Sequence, residues 1–413
     1  MSGKLLRLVC IAATAAGTAL APVQAAAAPE PDKEQPGVAD LLTGLQGLYR
    51  KAEEATEAYN ATEEKLKKQR AETDRVERAL TRARLSLHDS RGAAGRLARQ
   101  QYQSSTDLPP YVRLLLARDP QHAIEQGHVI GRLAQERAGT IARLSGHEHK
   151  AHELARKART ALDRQLALTE RRKKQRDEVR TRLHDVEELL ASLSREQLGK
   201  LAELERKATA KAQSEFIASG ALGSEDSPGD TKDGGKDDSR ENGKNRDRPG
   251  GVNTVRTPSA EGLRAVRYVV RQLGKPYEWG AQGPRTYDCS GLTSQAWAEA
   301  GTPVPRTSQE QWKQLERIPL DELRPGDLVV YFPKATHVAL YLGDGMVVHA
   351  PRPGAKVKAS PIAANPVLGA VRPDPGGEPL RRYEPPELPE GATDGSDEGY
   401  DGYAAPAPDT SAR

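Results

Sequence analysis

The sequence predicts a small α+β domain carried behind a long, antiparallel α-helical coiled coil. Three observations lead there. Residues 38 to 218 are built from Ala, Leu, Glu, Gln, Lys and Arg with apolar positions at alternating steps of four and three. Residues 259 to 372 alone mix helix-like with strand-like patterns. And of 413 residues only 4% are aromatic while 29% are charged, so much of the chain cannot be compact core.

The first 28 residues read as a secretory signal peptide, which predicts a secreted protein of the cell exterior. Lys4 and Arg7 precede an apolar run from Leu5 to Leu20, and Val23 to Ala28 offers small-x-small cleavage sites. That run is short for a membrane span, which needs about 20 residues. Cys10 lies inside it, so Cys289 is left without a disulfide partner after export. A net charge of +4 spread over the chain, with no basic cluster interleaved with aromatics, argues against a nucleic-acid partner.

In the first arm, Leu41, Leu45, Leu48, Ala52, Ala55, Tyr59, Thr62, Leu66, Gln69, Thr73, Val76, Leu80, Ala83 and Leu87 form one seam. A second series from Ile130 to Leu193, through Ile141, Ala151, Ala155, Ala158 and Leu162, is weakened in its middle by charged members. Pro109 and Pro110 cannot continue a helix, so the chain reverses near 104–128 and the arms, roughly 90 to 120 Å long at 1.5 Å per residue, pack antiparallel. The Leu-rich insert Tyr111 to Leu116 is then a tip element, either a docking site for another protein or a cap closing the hairpin. His147, His149 and His152 lack a metalloprotease spacing and read as helix-surface histidines.

Residues 219 to 258 are Gly, Asp, Ser, Lys and Asn with almost nothing apolar, a disordered linker. Residues 373 to 413 are acidic and Pro-rich and read as a disordered tail. Between them, Ser259 to Val270 reads as a helix ending before Gly274. Cys289 to Ala298 reads as a second helix capped by Asp288, and 328–331, 337–342 and 346–350 read as strands.

A cysteine in the first turn of a helix lies where unpaired amides and the helix dipole favour a thiolate, which predicts a lowered thiol pKa and nucleophilic chemistry. If Gly343, Asp344 and Gly345 form a three-residue hairpin loop, Ala339 faces His349 and His337 lies diagonal to His349 on one face. A two-residue Asp-Gly turn would throw the histidines to opposite faces. On a shared face, His337 can activate the thiol while His349 orients its imidazole.

Gly274-Lys275-Pro276-Tyr277-Glu278-Trp279-Gly280, Tyr287-Asp288-Cys289-Ser290-Gly291-Leu292, Pro305-Arg306-Thr307-Ser308, Arg324-Pro325-Gly326-Asp327-Leu328 and His337 to His349, in this order, resemble the NlpC/P60 family of cell-wall cysteine peptidases. The resemblance covers 259–372 and implies a papain-like α+β catalytic domain that hydrolyses peptide bonds in peptidoglycan stems, most commonly between D-γ-glutamate and a diamino acid. By motif, Cys289 is the nucleophile, His337 the base and His349 the third member of a triad that uses no metal or cofactor. Further carry-overs place Tyr277 near the thiol and the oxyanion, and Asp288 and Ser290 at the free amino end of a stem peptide. Arg306 meets a substrate carboxylate or ties a loop down. Simpler roles stand beside these: Tyr277 as a half-buried aromatic, Asp288 as a cap, Trp279 as core. Ala281 departs from the second Gly of many relatives.

The front half is similar to the coiled coils of actinobacterial P60-type hydrolases, where the coil masks the cleft or docks on a membrane-protein partner of the division machinery. A non-catalytic cell-wall scaffold, working through its coiled coil, is the alternative.

Overall fold

The computed structural model describes residues 37–104, 110–116, 119–223 and 256–395. The expected signal peptide, most of the expected linker and the last part of the tail lie outside these residues.

Helix α1 (Val38–Ser104) and helix α3 (Pro120–Ala191) are the two arms, joined through the short α2 (Pro110–Leu115). They run antiparallel. Gln69 Nε2 donates to the Ala161 carbonyl at 3.1 Å, Arg172 pairs with Glu63 at 3.1 Å, and Ser90 Oγ meets His147 Nδ1 at 2.6 Å. His147 is thus bound across the helix pair rather than fully solvated. Asp119 starts α3 by accepting from the His122 amide, with Pro120 at the first helical position.

The α1 seam follows the expected series closely, since Leu45, Ala52, Ala55, Leu66, Val76, Leu80, Ala83 and Leu87 are all buried. The second series holds at Ala151, Val179, Val186 and Leu190, all buried, and departs locally: Ala161 is buried beside an expected Leu162 that is 44% exposed, and Ile141 is 61% exposed.

The second arm also stops sooner than its composition implies. It ends at Ala191, and α4 (Arg195–Ala218) begins after Ser194, whose side chain accepts from the Gln197 amide while Gln197 bonds back to the cap. This reciprocal capping is strong enough to break a run of good helix formers. Leu201 of α4 then closes an apolar cluster with Leu45, Tyr49, Val186 and Leu190 at the base of the rod.

The C-terminal domain has the α+β class and a six-stranded sheet in the order β1-β6-β2-β3-β4-β5, antiparallel throughout. Its elements are α5 (Ala260–Val270), α6 (Cys289–Ala300), α7 (Ser308–Gln314), β1 (Glu316–Ile318), β2 (Leu328–Tyr331), β3 (His337–Gly343), β4 (Met346–His349), β5 (Lys358–Pro361) and β6 (Val367–Arg372). α7, β1, β5 and β6 are additions to the elements expected from sequence. One face, through Leu328, Val330, Val338, Leu340 and Val348, packs on α5 and α6 around the fully buried Trp297. The other face presents Val329, Tyr331, Ala339, Tyr341 and Val347 and is covered in part by Phe216 and Leu222 at the end of α4. Period-two alternation explains why every β3 residue is buried: both faces are occupied.

Residues 373–395, expected to be a disordered tail, lie against the domain. Arg324 pairs with Asp374 at 3.1 Å, the Leu380 amide donates to the Pro258 carbonyl, and the Ala359 amide donates to the Ala392 carbonyl. The last of these bonds satisfies an amide on the outer edge of β5, an edge that would otherwise be open to another strand. A Pro-rich segment needs no ladder of its own to do this, which is why composition alone misreads it.

Candidate functional site

Cys289 stands at the first position of α6, and Asp288 caps the helix by accepting from the Gly291 amide at 2.6 Å. The glycine is required there. A Cβ on Gly291 would lie 2.1 Å from the Ala281 carbonyl, the same carbonyl that receives the Asp288 amide at 3.1 Å, so only glycine lets the Trp279–Ala281 loop sit against the helix start.

Two histidines join the cysteine from the sheet. Leu340 pairs with Val348 and Tyr341 with Val347, the register expected for the strand bodies, yet the turn is different: Asp344 and Gly345 form a two-residue turn with φ of 52° and 69°. A register shift between Tyr341 and Gly343 supplies the extra residue, so the histidines keep one face despite the two-residue turn. His337 Nε2 meets His349 Nδ1 at 2.8 Å, and His349 Nε2 meets Ser360 Oγ of β5 at 3.1 Å. The Cys289 thiol lies against the backbone of Val338, the residue after His337.

The residues singled out for substrate contact converge on Asp288. Arg306 donates Nη1 to Asp288 Oδ1 at 3.0 Å and Nη2 to Oδ2 at 2.6 Å, a two-pronged pair with both side chains buried, and Nη1 also donates to Ser290 Oγ at 2.9 Å. Arg306 is therefore held by Asp288 and braces the capping loop. Tyr277 is half-buried against the core, and its hydroxyl is pushed well above the ordinary tyrosine range by burial, then by Cys289, Asp288 and two glutamates of α1.

Those glutamates are the part sequence reasoning missed. α1 crosses the cleft. Glu57 is 1% exposed; Ser290 Oγ donates to its Oε1 at 2.8 Å and the Ser308 amide to its Oε2 at 3.0 Å. Asn60 donates to Asp288 Oδ2 at 3.0 Å, and Glu53 lies 3.8 Å from His337 Nδ1. Tyr59 meets Trp279 edge-on at 5.1 Å, so Trp279, read from sequence as core, is instead the floor under α1. Tyr49 stacks under Arg352, and Lys334 reaches Glu54 at 2.9 Å. Nothing in Ala52-Glu53-Glu54-Ala55-Thr56-Glu57-Ala58 announces a second buried face, because charged residues on a helix ordinarily face water.

The electrostatics follow from this lid. Cys289 is 4% exposed, and its thiol is pushed well above its ordinary range by burial, then by Glu57, Asp288 and Glu53. This reverses the lowered pKa expected from the helix start: amides and dipole favour a thiolate by a modest amount, and desolvation with three nearby carboxyl groups outweighs it. Glu57 is itself raised to about 7, by burial first and by Asp288 second, against the opposing pull of Arg306.

A family model described as NlpC/P60 matches residues 274–369, the span that holds all of these cleft residues except the α1 contributors. The C-terminal domain belongs to the NlpC/P60 family. Over 116 residues the chain is 40% identical to a probable endopeptidase of Corynebacterium glutamicum, a match covering 28% of this chain and 56% of that protein. A probable endopeptidase of Mycobacterium tuberculosis is 35% identical over 108 residues, 26% of this chain and 28% of the relative. The chain thus spans about half or less of these curated relatives. Among solved structures, the P60 domain of a Mycobacterium avium subspecies paratuberculosis antigen is 35% identical, with 29% of this chain and 93% of that one covered and a TM-score of 0.22. RipD of M. tuberculosis, described as a non-catalytic NlpC/p60 domain protein adapted to peptidoglycan binding, is 31% identical, covering 27% of this chain and 96% of that one at a TM-score of 0.25.

Proposed function

We propose that the chain is a secreted peptidoglycan hydrolase, a cysteine endopeptidase whose NlpC/P60 domain is kept latent by its own helix α1. The observation that carries this is the His337–His349 pair beside the helix start that carries Cys289, with the Glu57 and Asn60 side chains of α1 bonded to Ser290 and Asp288 on either side of that cysteine. The bond cleaved is that between D-γ-glutamate and a diamino acid of the stem peptide.

Once α1 is withdrawn, water and substrate replace the glutamates, and the helix start lowers the cost of a thiolate at Cys289. The thiolate attacks the stem-peptide carbonyl, the Tyr277 hydroxyl stands near the oxyanion, and the imidazolium of His337 donates its proton to the leaving amine. Water then attacks the thioester with His337 as base, releasing the thiol. Asp288 and Ser290 receive the free amino end of the stem peptide, and Arg306 holds Asp288 in place for it. The Asn60 side-chain amide, donating to Asp288 Oδ2, occupies that donor position in the latent form.

A membrane-protein partner of the division machinery is the proposed means of withdrawal, docking at the tip where Leu115 is 83% and Leu116 65% exposed. The competing reading is a peptidoglycan-binding scaffold of the kind RipD's description names; the sealed thiol would suit it. Incubating defined muropeptides with the full chain, with Glu57→Ala and with Glu57→Ala/Cys289→Ala separates the two. New product masses from Glu57→Ala that vanish in the double variant support the peptidase. Unchanged masses with every variant leave the scaffold.

A further inference from the structure

Helix α1 is not the only part of the rod that touches the C-terminal domain. Near the end of α4, the Gln213 side-chain amide behaves as a peptide group: its Nε2 donates to the Gly345 carbonyl at 3.1 Å, and its Oε1 accepts from the Ala363 amide at 3.1 Å. Gly345 lies in the β3–β4 turn and Ala363 just after β5, so one side chain ties two loops of the sheet together. Glycine is needed in that turn, because φ is 69° and a Cβ would lie 2.8 Å from Gln213 Nε2. One turn further along α4, Phe216 packs with Leu222 on the outer sheet face, against the cluster of Val329, Tyr331, Ala339, Tyr341 and Val347.

The same two strands carry the histidines at their other end. β3 starts at His337 and β4 ends at His349, whereas the Asp344–Gly345 turn closes the pair about 20 Å away, at ~3.3 Å per residue. α1 covers the histidine end and α4 grips the turn end. Both helices lead back to one apolar cluster, in which Leu45 of α1 and Leu201 of α4 are buried with Val186 and Leu190 of α3. From that cluster to Glu57 along α1, and to Gln213 along α4, is about 18 Å in each case at ~1.5 Å per residue. The base of the rod is thus a body with two prongs. Beside the second prong the packing is interrupted: a groove of about 600 Å³ lies among Gln46, Ala208, Thr209, Ala212 and residues 363–367. A permanent core is filled continuously, so α4 rests on the domain as a separable surface does.

We propose that the outer sheet face and its β3–β4 turn are an interaction surface for α4, and that this contact is a second latch whose grip on the turn keeps α1 seated over the histidines. The inference rests on the reading of α1 as a lid and is independent of the bond cleaved. Two attachments carried on one body act as tethers for each other. While α4 is docked, a departing α1 stays at high effective concentration and returns to the cleft; it stays away long enough to admit a substrate only when the α4 contact is broken too. A substitution at either prong therefore weakens the seating of the other without touching it.

The test uses the full chain with Gln213→Glu, with Phe216→Ala and, for comparison, with Glu57→Ala, each treated with iodoacetamide at a fixed pH and mapped at Cys289 by peptide mass. Gln213→Glu keeps the size of the side chain but sets a carboxylate oxygen against the Gly345 carbonyl where a donor stood. Labelling of Cys289 in each α4 variant should rise about fivefold or more over wild type, the scale of one lost hydrogen bond or apolar contact. Hydrogen exchange at the amides of α5 and α6, read on the same samples, should stay unchanged because the domain itself remains folded. A labelling rate within twofold of wild type in either α4 variant overturns the proposal. So does a rise matched by an equal loss of protection in α5 and α6, which is unfolding of the domain and not release of a latch. Faster labelling in Glu57→Ala alone leaves α1 as the lid and removes the second latch; no change in any variant removes both. Labelling requires no substrate, so failure of the peptidase reading is distinguished from failure of this one.

Discussion

Glu57 makes the seating of α1 depend on pH, and the size of the effect can be worked from its surroundings. Its carboxyl is buried beside Asp288, with the Arg306 guanidinium pulling the other way and Glu53 a turn away on the same helix. In the seated state its pKa is raised from the ordinary 4.5 to about 7. With α1 withdrawn, Glu57 returns to the ordinary value. The seated state therefore holds the proton more tightly, so seating is strongest below pH 4.5, weakens as pH rises toward 7 and is level above it. The full span corresponds to about 3 kcal/mol. Between pH 5.5 and 7.5 the seated-to-withdrawn ratio falls about twentyfold.

Iodoacetamide labelling of Cys289, followed by peptide mass mapping, measures this if labelling requires withdrawal. The thiol's own pH dependence cancels when the rate is divided by that of Glu57→Gln, in which the amide stands in for the protonated acid and cannot ionise. The ratio of wild-type to Glu57→Gln rates should rise about twentyfold from pH 5.5 to 7.5. A ratio constant within twofold across that range would refute the assignment of the switch to Glu57.

Removing the α1 side chains that enter the cleft should release activity: Glu57→Ala combined with Asn60→Ala should raise muropeptide turnover by about tenfold or more, on the footing that each buried hydrogen bond to a charged group contributes about 1.5–3 kcal/mol. An unchanged turnover would remove α1 as the latch. Arg306→Ala should lower the stability of the domain by about 3–5 kcal/mol, because it leaves Asp288 buried with its cation gone. Denaturant unfolding would show this, and a loss under 1 kcal/mol would contradict the bracing role. Gly291→Ala should misplace the Trp279–Ala281 loop, since its methyl would lie 2.1 Å from the Ala281 carbonyl; a crystal structure with that loop undisturbed would count against the close-packing argument. His349→Ala should depress turnover by about a hundredfold while leaving substrate affinity nearly intact, because the general base His337 loses the group that orients it, and a KM effect of equal size would assign it to binding instead.

The sequence by itself determined the local parts of this protein. Short-range rules suffice for a helix start at Cys289 capped by Asp288, for the strands carrying His337 and His349, and for the α1 seam from Leu45 to Leu87. They depend on neighbours within a turn or a strand pair. Even the histidines' common face was legible, though the turn was not, because a bulge beside Leu342 compensated for the shorter loop. Tertiary structure alone decided what the thiol experiences. Glu57 meets Ser290 across 233 positions of chain and Ser308 across 251, and no periodicity marks a charged helical residue that will be desolvated by a distant domain. Burial first, then Glu57, Asp288 and Glu53, push the Cys289 thiol up. A helix dipole acts within one turn and is written locally, whereas burial under α1 is a property of two segments meeting, and the second effect is the larger.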